Sequence, residues 1–506
     1  MPNAARFRLP PRLCPAAAHS LRAALVGGAL LSLPALLALP LVAQTATGRS
    51  ATPATTTPAT ASFAQRAAVD SIFARFNSTA SPGCIVGVNR AGAPLLRQAY
   101  GMADLERGIA LRDGMMLEIG SVSKQFVAAL LVLLEQQGRL SLDDPAAQYL
   151  PGFPAFADAG GPITIRHLLQ HTSGLRDQYT LLELVGRPYG EVAHDNFEVL
   201  QLINRQRGLN FPVNSRYLYS NTGYTLAAII AQRVTRESFQ PMFERMLFQP
   251  LGIERARWRT DFRDIIPDRA VPYAFEHGNW TLDWPFSNLF GAGALLTTID
   301  GMMTWTEALH AGRVGNGSTL ATMTRLGVLS DGSTTEYGLG LMVRDWRGVH
   351  EVAHSGSTAG YRAYLARYPA QDLTVAMQCN AGNGDYVVLA RAVAAVFLGS
   401  ALSPAPTPAV ATAAPARAAV AGTEFRALVG RWQDAETGGV LEIAAADSGV
   451  TVTTLRGRRI PMRGDSRDRL VGGGWSFTLE RDARGRVRAL RLDAGRVLGV
   501  RFTKLD

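Results

Sequence analysis

The chain has 506 residues, 47% of them hydrophobic and 18% charged, which suffices for a large domain with a sizeable core plus a smaller one. Its net charge of +10 is unevenly placed: residues 1–43 hold four arginines and no acid, residues 421–506 hold fifteen arginines, one lysine and eleven acids, and the middle is nearly neutral. No nucleic-acid-binding motif accompanies the basic tail, and three cysteines are too few for a disulfide framework, so both of those classes are excluded.

At the N-terminus, Arg6, Arg8, Arg12 and Arg22 precede an apolar run from Ala23 to Val42, with Ala43 as a cleavage position. This pattern predicts a secretory signal over 1–43 and a secreted, periplasmic mature protein. The run is nearly long enough to cross a bilayer, so an uncleaved N-terminal membrane anchor is the alternative. Residues 44–61 are a Thr/Ala/Pro linker with little to bury. The segment 62–400 opens with an amphipathic helix carrying Phe63, Val69, Ile72, Phe73 and Phe76, then a hairpin from Cys84 to Asn89 and Leu95 to Tyr100 through Ala91-Gly92. Cys14 would leave with the signal. Cys84 and Cys379 both fall in strand-like runs; they could pair in an oxidising compartment if those strands are neighbours, but unpaired core thiols are the expectation, since free cysteine behaves as a small apolar residue.

Only two lysines, Lys124 and Lys504, occur among the 51 basic residues. Arginine can replace lysine wherever a solvated charge is wanted, but not where the nitrogen must release a proton. Lys124 ends Gly120-Ser121-Val122-Ser123-Lys124, and the apolar positions Phe126, Leu130, Leu133 and Leu134 with Gly138 behind them predict a helix that Ser121 opens. Positions three apart share a helix face, so the Lys124 amine can reach the Ser121 hydroxyl. That is the arrangement of an activated nucleophile.

Helical patterns dominate from 121 to about 310, and strands return at Tyr361 to Tyr368 and Leu373 to Gln378, followed by a helix over Tyr386 to Phe397. Strands at both ends of a helical middle predict an α+β domain whose ends share one sheet. Two clusters in this region carry further chemistry. Tyr219-Ser220-Asn221 before a helix sets a phenol and an amide on a turn, unless Asn221 is merely an N-cap. His354-Ser355-Gly356-Ser357 precedes the strand at Tyr361 and otherwise reads as a Gly-rich turn. His167 and His171 have metal-ligand spacing but lack a Glu-bearing H-E-x-x-H, so hydrogen bonding is expected of them and no zinc. Asp143-Asp144 lie beside Pro145 in a turn and are left out of the site, and no G-x-S-x-G elbow occurs. Residues 401–420 form a second, Ala/Pro-rich linker. The module at 421–506 alternates polar and apolar residues in short runs separated by Gly and Asp, which predicts a small all-β domain with its arginines on a solvated face.

Taken in order, S-x-x-K at Ser121, Y-x-N at Tyr219 and H-x-G at His354 resemble the serine β-lactamase and penicillin-binding superfamily, most closely its class C-like branch of D-aminopeptidases, D-alanyl-D-alanine carboxypeptidases and esterases. The flanking runs Glu118-Ile-Gly-Ser-Val-Ser-Lys124, Gly138-Arg-Leu-Ser-Leu-Asp-Asp144, Ile163-Thr-Ile-Arg-His-Leu-Leu-Gln-His-Thr-Ser-Gly-Leu175 and Gly291-Ala-Gly-Ala-Leu-Leu match as well. The resemblance implies an antiparallel sheet flanked by helices with an all-helical subdomain, and a lipocalin-like barrel at 421–506. It makes Ser121 the nucleophile that is acylated, with Lys124 and Tyr219 sharing the proton transfers and either one as the acylating base. Asn221 would orient the lysine and the substrate amide, His354 would complete the catalytic set, the backbone N–H groups of Ser121 and Ser357 would form an oxyanion hole, and Ser355 and Gly356 would bind the substrate.

Where the superfamily often has lysine in K-T-G, this chain has His354, mostly neutral at pH 7, which weakens the case for β-lactams and for peptides ending in free D-alanine. The expectation is therefore a cofactor-free serine hydrolase that cleaves a small peptide or ester, of D-aminopeptidase type. A carboxyl esterase, or a weak β-lactamase or D-alanyl-D-alanine carboxypeptidase, is the alternative on the same scaffold; a non-catalytic protein that binds peptidoglycan-derived fragments is the alternative of another class. Neither nucleic acid nor an obligate protein partner is expected.

Overall fold

The computed structural model describes residues 60–157, 159–405, 422–447 and 449–505. The expected signal with Cys14, the 44–61 linker apart from Thr60 and Ala61, and residues 406–420 of the second linker lie outside the described residues.

Helix α1 (Phe63–Phe73) starts at a capping box, in which Ser62 Oγ accepts from Gln65 N and Gln65 Oε1 accepts from Ser62 N. Strands β1 (Cys84–Arg90) and β2 (Ala93–Tyr100) follow, joined by Ala91 and Gly92 with φ of 51° and 75°. Two consecutive left-handed residues make the tight turn whose twist suits a hairpin. The helical middle contains α2 (Lys124–Gln136), α3 (Ile165–Leu169), α4 (Gln178–Leu184), α5 (Asn221–Thr235) and α6 (Ile299–His310). The chain then returns to the sheet as β3 (Met342–Trp346), β4 (Val349–Thr358), β5 (Tyr361–Tyr368) and β6 (Leu373–Cys379), and ends this domain with α7 (Tyr386–Leu398).

The six strands run β3-β4-β5-β6-β1-β2, all antiparallel, so the first and last segments of the domain do share one sheet. Both faces are covered. Cys84, Val86 and Val88 pack with Phe73 of α1 and Val393 and Phe397 of α7, whereas Ile85 faces the cluster holding Ile299 and Met302 of α6. Double coverage explains why β1 reads as an unbroken apolar run rather than an alternating one. Each such side chain contributes roughly 1.5–3 kcal/mol on burial.

After the 3₁₀ segment Gly422–Leu428, eight strands close into an antiparallel barrel: β7 (Gly430–Asp434), β8 (Val440–Ala446), β9 (Gly449–Thr453), β10 (Arg459–Ser466), β11 (Arg469–Gly472), β12 (Trp475–Arg481), β13 (Val487–Ala494) and β14 (Val497–Lys504). Leu441, Val452, Phe477, Leu492 and Phe502 point inward, and the arginines alternate to the outside, where Arg491 and Arg501 both meet Glu480. Closure removes the exposed edges of a short-stranded sheet.

One expectation is overturned: Cys84 and Cys379 form a disulfide. The register of β1 against β6 sets them directly opposite one another, and both project to the face covered by α1 and α7. Their neighbourhood follows from a pairing between segments 295 residues apart, which local patterning does not reveal. A cross-link over so long a loop restricts the unfolded chain, and removing it by Cys84→Ser with Cys379→Ser is expected to cost about 2–5 kcal/mol. Denaturant titration checks the cost, and thiol alkylation of the unfolded, unreduced protein should leave both residues unmodified.

Candidate active site

Ser121 lies on a 3₁₀ turn, Gly120–Ser123, and the α-helix starts at Lys124, three residues later than the periodicity predicts. The tight turn is enforced from behind. Gly120 has φ 49°, and a Cβ there would stand 2.6 Å from Ser357 N; a Cβ on Gly356 would stand 2.0 Å from Ile119 O and 3.1 Å from Ser121 N. Two bare backbones are therefore in contact where β4 passes the turn, and only glycine fits on either side. This contact sets Ser121 and Ser357 side by side. It also places Gly356 behind Ser121 rather than on the cavity wall, while His354 and Ser355 do line the cavity. His354-Ser355-Gly356-Ser357 is the end of strand β4, not a turn.

The same turn is held from the other side. Glu118 is fully buried and accepts from Arg259 Nε at 3.2 Å and Nη2 at 3.4 Å, tying the strand Leu117–Glu118 to Ala256–Trp258, both of which pair with Leu295–Thr297. Ile119 N then donates to Leu295 O at 2.9 Å.

Lys124 is fully buried, and its Nζ lies 3.1 Å from Ser121 Oγ, 3.0 Å from Asn221 Oδ1 and 2.6 Å from Ala292 O. Burial drives its pKa well below the ordinary 10.5; the nearby Arg496 guanidinium pushes the same way, and the Asp177 carboxylate opposes. A neutral amine has two N–H groups and one lone pair. Two of its neighbours, Asn221 Oδ1 and Ala292 O, can only accept, so the lone pair is left for the Ser121 hydroxyl.

Asn221 is the first residue of α5, not its cap, and both its N and Nδ2 donate to Asp177 Oδ2, at 2.8 and 2.9 Å. Asp177 itself caps α4 through Tyr179 N. Tyr219 brings its ring 4.9 Å from Lys124 Nζ. Its hydroxyl oxygen is buried, sits beside Ser121 and makes no well-formed hydrogen bond among the described residues; burial raises its pKa far more than the Ser121 hydroxyl lowers it, so the phenol keeps its proton.

His354 is neutral. Burial pushes its pKa down to about 3, with Lys124 adding to the shift. Its Nδ1 donates to Ser355 O at 2.6 Å, which obliges Nε2 to accept from the buried Tyr337 hydroxyl at 2.9 Å. With both ring nitrogens engaged, it has neither charge nor proton to offer. His167 and His171 serve different partners, Nδ1 accepting from Thr164 N in one and from Ser220 N in the other, both at 3.2 Å. His171 lies beyond the end of α3, so the two do not form a helical i, i+4 pair.

Ser121, Tyr219, Asn221, His354, Ser355 and Ser357 all border one cavity of about 510 Å³, and Lys124 lies behind Ser121 and Asn221. Three members were not read from the sequence. Asp177 stands just past Thr172-Ser-Gly-Leu-Arg176, where position alone hides its contact with Asn221; Tyr337 anchors His354; and Arg496 enters from the barrel.

Residues 67–397 match the Beta-lactamase family. The chain belongs to that family. Among its relatives, the D-aminopeptidase of Gluconobacter oxydans (strain 621H) is 29% identical over 343 residues, covering 66% of this chain and 62% of that protein. Esterase EstB of Burkholderia gladioli is 34% identical over 202 residues, covering 38% of this chain and 50% of that protein. The chain thus spans less than two thirds of the length of either. In solved structures the fold matches the octameric penicillin-binding protein homologue from Pyrococcus abyssi, with a TM-score of 0.58, 20% identity, and 87% of this chain and 99% of that chain covered. It also matches the D-amino acid amidase from Ochrobactrum anthropi SV3, with a TM-score of 0.55, 21% identity, and 67% and 99% covered.

Because Lys124 must lose its proton to serve as a base, kcat/KM is expected to rise with pH through the depressed Lys124 pKa, well below 10.5. No limb near pH 6.5 should come from His354. In Lys124→Arg the guanidinium cannot give up its proton, and kcat/KM should fall about 10²- to 10⁴-fold with loss of that limb. A pH–rate profile of both proteins decides the matter.

Proposed function

We propose that this protein is a serine hydrolase of D-aminopeptidase type, which cleaves the amide bond of a small peptide through an acyl-enzyme on Ser121. The observation that carries the reading is the buried Lys124 amine, its pKa driven well below the ordinary value by burial, 3.1 Å from Ser121 Oγ with its other hydrogen-bonding capacity engaged by acceptors. Its lone pair takes the Ser121 proton as Oγ attacks the carbonyl carbon. The developing oxyanion is received by the N–H groups of Ser121 and Ser357, which the Gly120–Gly356 contact sets together; such a donor is typically worth about 10² to 10³ in rate.

Tyr219, a phenol that holds its proton beside Ser121, gives that proton to the leaving nitrogen and regains one from the Lys124 ammonium. Water, losing its proton to the Lys124 amine, then adds to the ester carbonyl, and Ser121 Oγ leaves with that proton as the acid is released. A phenol with a raised pKa and an amine with a lowered one, both beside the Ser121 oxygen, suit this division between acid and base. His354 is a positioning residue that fixes Tyr337 and the Ser355 carbonyl. The relatives named D-aminopeptidase and the fold shared with a D-amino acid amidase support amide chemistry. The Cys84–Cys379 disulfide, together with the Arg-led apolar run at the N-terminus, supports export to an oxidising compartment such as the periplasm.

Intact mass after reaction with a fluorophosphonate should show one adduct, mapped to Ser121 and absent in Ser121→Ala. A label on another residue would sink the reading. Turnover of D-alanine p-nitroanilide should exceed that of nitrocefin, and faster hydrolysis of a short-chain p-nitrophenyl ester alone would assign the protein to the esterases.

A further inference from the structure

Among the described residues, the barrel contributes one side chain to the active-site cavity. Arg496 stands on the β13–β14 hairpin and borders the cavity together with Ser121 and five tyrosines. The hairpin backbone is firmly held. Arg496 O accepts from Asn210 Nδ2 at 3.0 Å and from Asp177 N at 3.3 Å, and Leu498 N donates to Asn210 Oδ1 at 2.7 Å. Beneath it, Arg176 is buried and ties the two domains together, donating to Glu436 Oε2 at 2.7 Å and to Leu498 O at 3.1 Å.

The guanidinium itself is unsatisfied. It makes no hydrogen bond with the described residues, is 47% exposed, rests 4.7 Å over the Tyr219 ring and stays 3.9 Å from Asp177 Oδ2. That carboxylate oxygen already accepts two hydrogen bonds from Asn221. Among the described residues that border the cavity, Arg496 is the single formally charged side chain: no Asp, Glu or Lys lines it, and His354 is neutral. A rigidly mounted cation with free N–H donors in a cavity of neutral phenols and hydroxyls is a receptor for an anion. Guanidinium matches a carboxylate with two parallel hydrogen bonds, and one fork provides for one carboxylate.

We propose that Arg496 binds the free carboxylate of the leaving amino acid, so that the preferred substrates are short peptides cleaved one residue from their C-terminus. The assignment rests on the acyl-Ser121 reading, in which Tyr219 gives its proton to the leaving nitrogen. In an amino acid the α-carboxylate is two bonds from that nitrogen, and Arg496 covers the ring that delivers the proton. Arg496 thereby restores, from another domain, the cation that His354 lacks on β4. It acts on specificity for the leaving group.

Steady-state kinetics of the mature full-length protein on D-alanyl-D-alanine and on its C-terminal amide test this. The acid should exceed the amide in kcat/KM by about ten- to a hundredfold, the range of a charge-assisted hydrogen bond. Arg496→Gln should bring the two substrates to within about twofold, and Arg496→Lys should retain part of the preference. A wild-type ratio near one, an undiminished preference in Arg496→Gln, or no turnover of either dipeptide by a protein whose Ser121 is labelled by fluorophosphonate would each overturn the assignment. The wild-type ratio and the Lys variant remain informative should Arg496→Gln misfold. Absence of a Ser121 adduct in the wild type would instead remove the underlying reading.

Discussion

A lysine amine held away from water governs this site. A bare ammonium ion in such surroundings carries a desolvation penalty of several kcal/mol, which lowers the Lys124 pKa and favours the neutral amine. The second-largest influence is itself a choice of charges. The Arg496 guanidinium disfavours the ammonium more than the Asp177 carboxylate favours it, and Asp177 Oδ2, 3.9 Å from Arg496, is also engaged by two N–H groups of Asn221. The result is an amine whose lone pair has one direction left to face, toward Ser121.

That geometry needs parts from distant stretches of the chain to meet within hydrogen-bond distance. Ser121 comes from the 3₁₀ turn ahead of α2, Lys124 from the first position of α2, Asn221 from the start of α5, Ala292 from the stretch before α6, and Ser357 from β4. What locks them is mostly backbone. Gly120 against Ser357, Gly356 against Ile119 and Ile119 N on Leu295 O admit no side chain between the layers, so the nucleophile turn has little room to shift. Buried glycine contacts of this kind cost chain entropy, and the flanking ion pair of Glu118 with Arg259 and the two-sided apolar cover of the sheet offset it.

Much of this was legible in the sequence, for a physical reason: helical and strand periods are local, and so is the i, i+3 spacing of Ser121 and Lys124. The hairpin at Ala91-Gly92, the stop at Gly138, the shared sheet and the all-β terminal module all follow from such short-range signals. What stayed hidden depends on register or docking. The disulfide required knowing that β1 lies against β6 with Cys84 opposite Cys379. The 3₁₀ start of α2 depends on a strand more than 230 residues away pressing on Gly120. His354 reads as a catalytic histidine until its two nitrogens are found engaged by Tyr337 and Ser355.

Arg496 is the extreme case, because nothing around it in the sequence distinguishes it from the other fourteen arginines of the barrel segment. Several of those arginines meet acids of the barrel itself, as Arg491 and Arg501 do with Glu480, or of the neighbouring domain, as Arg458 does with Glu183 and Arg456 with Glu191. Arg496 differs because its hairpin is seated on Asn210 and Asp177, which aims its side chain at the cleft while its backbone meets the local hydrogen-bonding needs. Asp177 thus joins both halves of the site, receiving Asn221 with its carboxylate and donating its backbone N–H to the hairpin that carries Arg496. One buried acid fixes both the Asn221 amide that meets Lys124 and the loop that carries the only charged group on the described cavity wall, so the proposed chemistry and the proposed selectivity share one anchor.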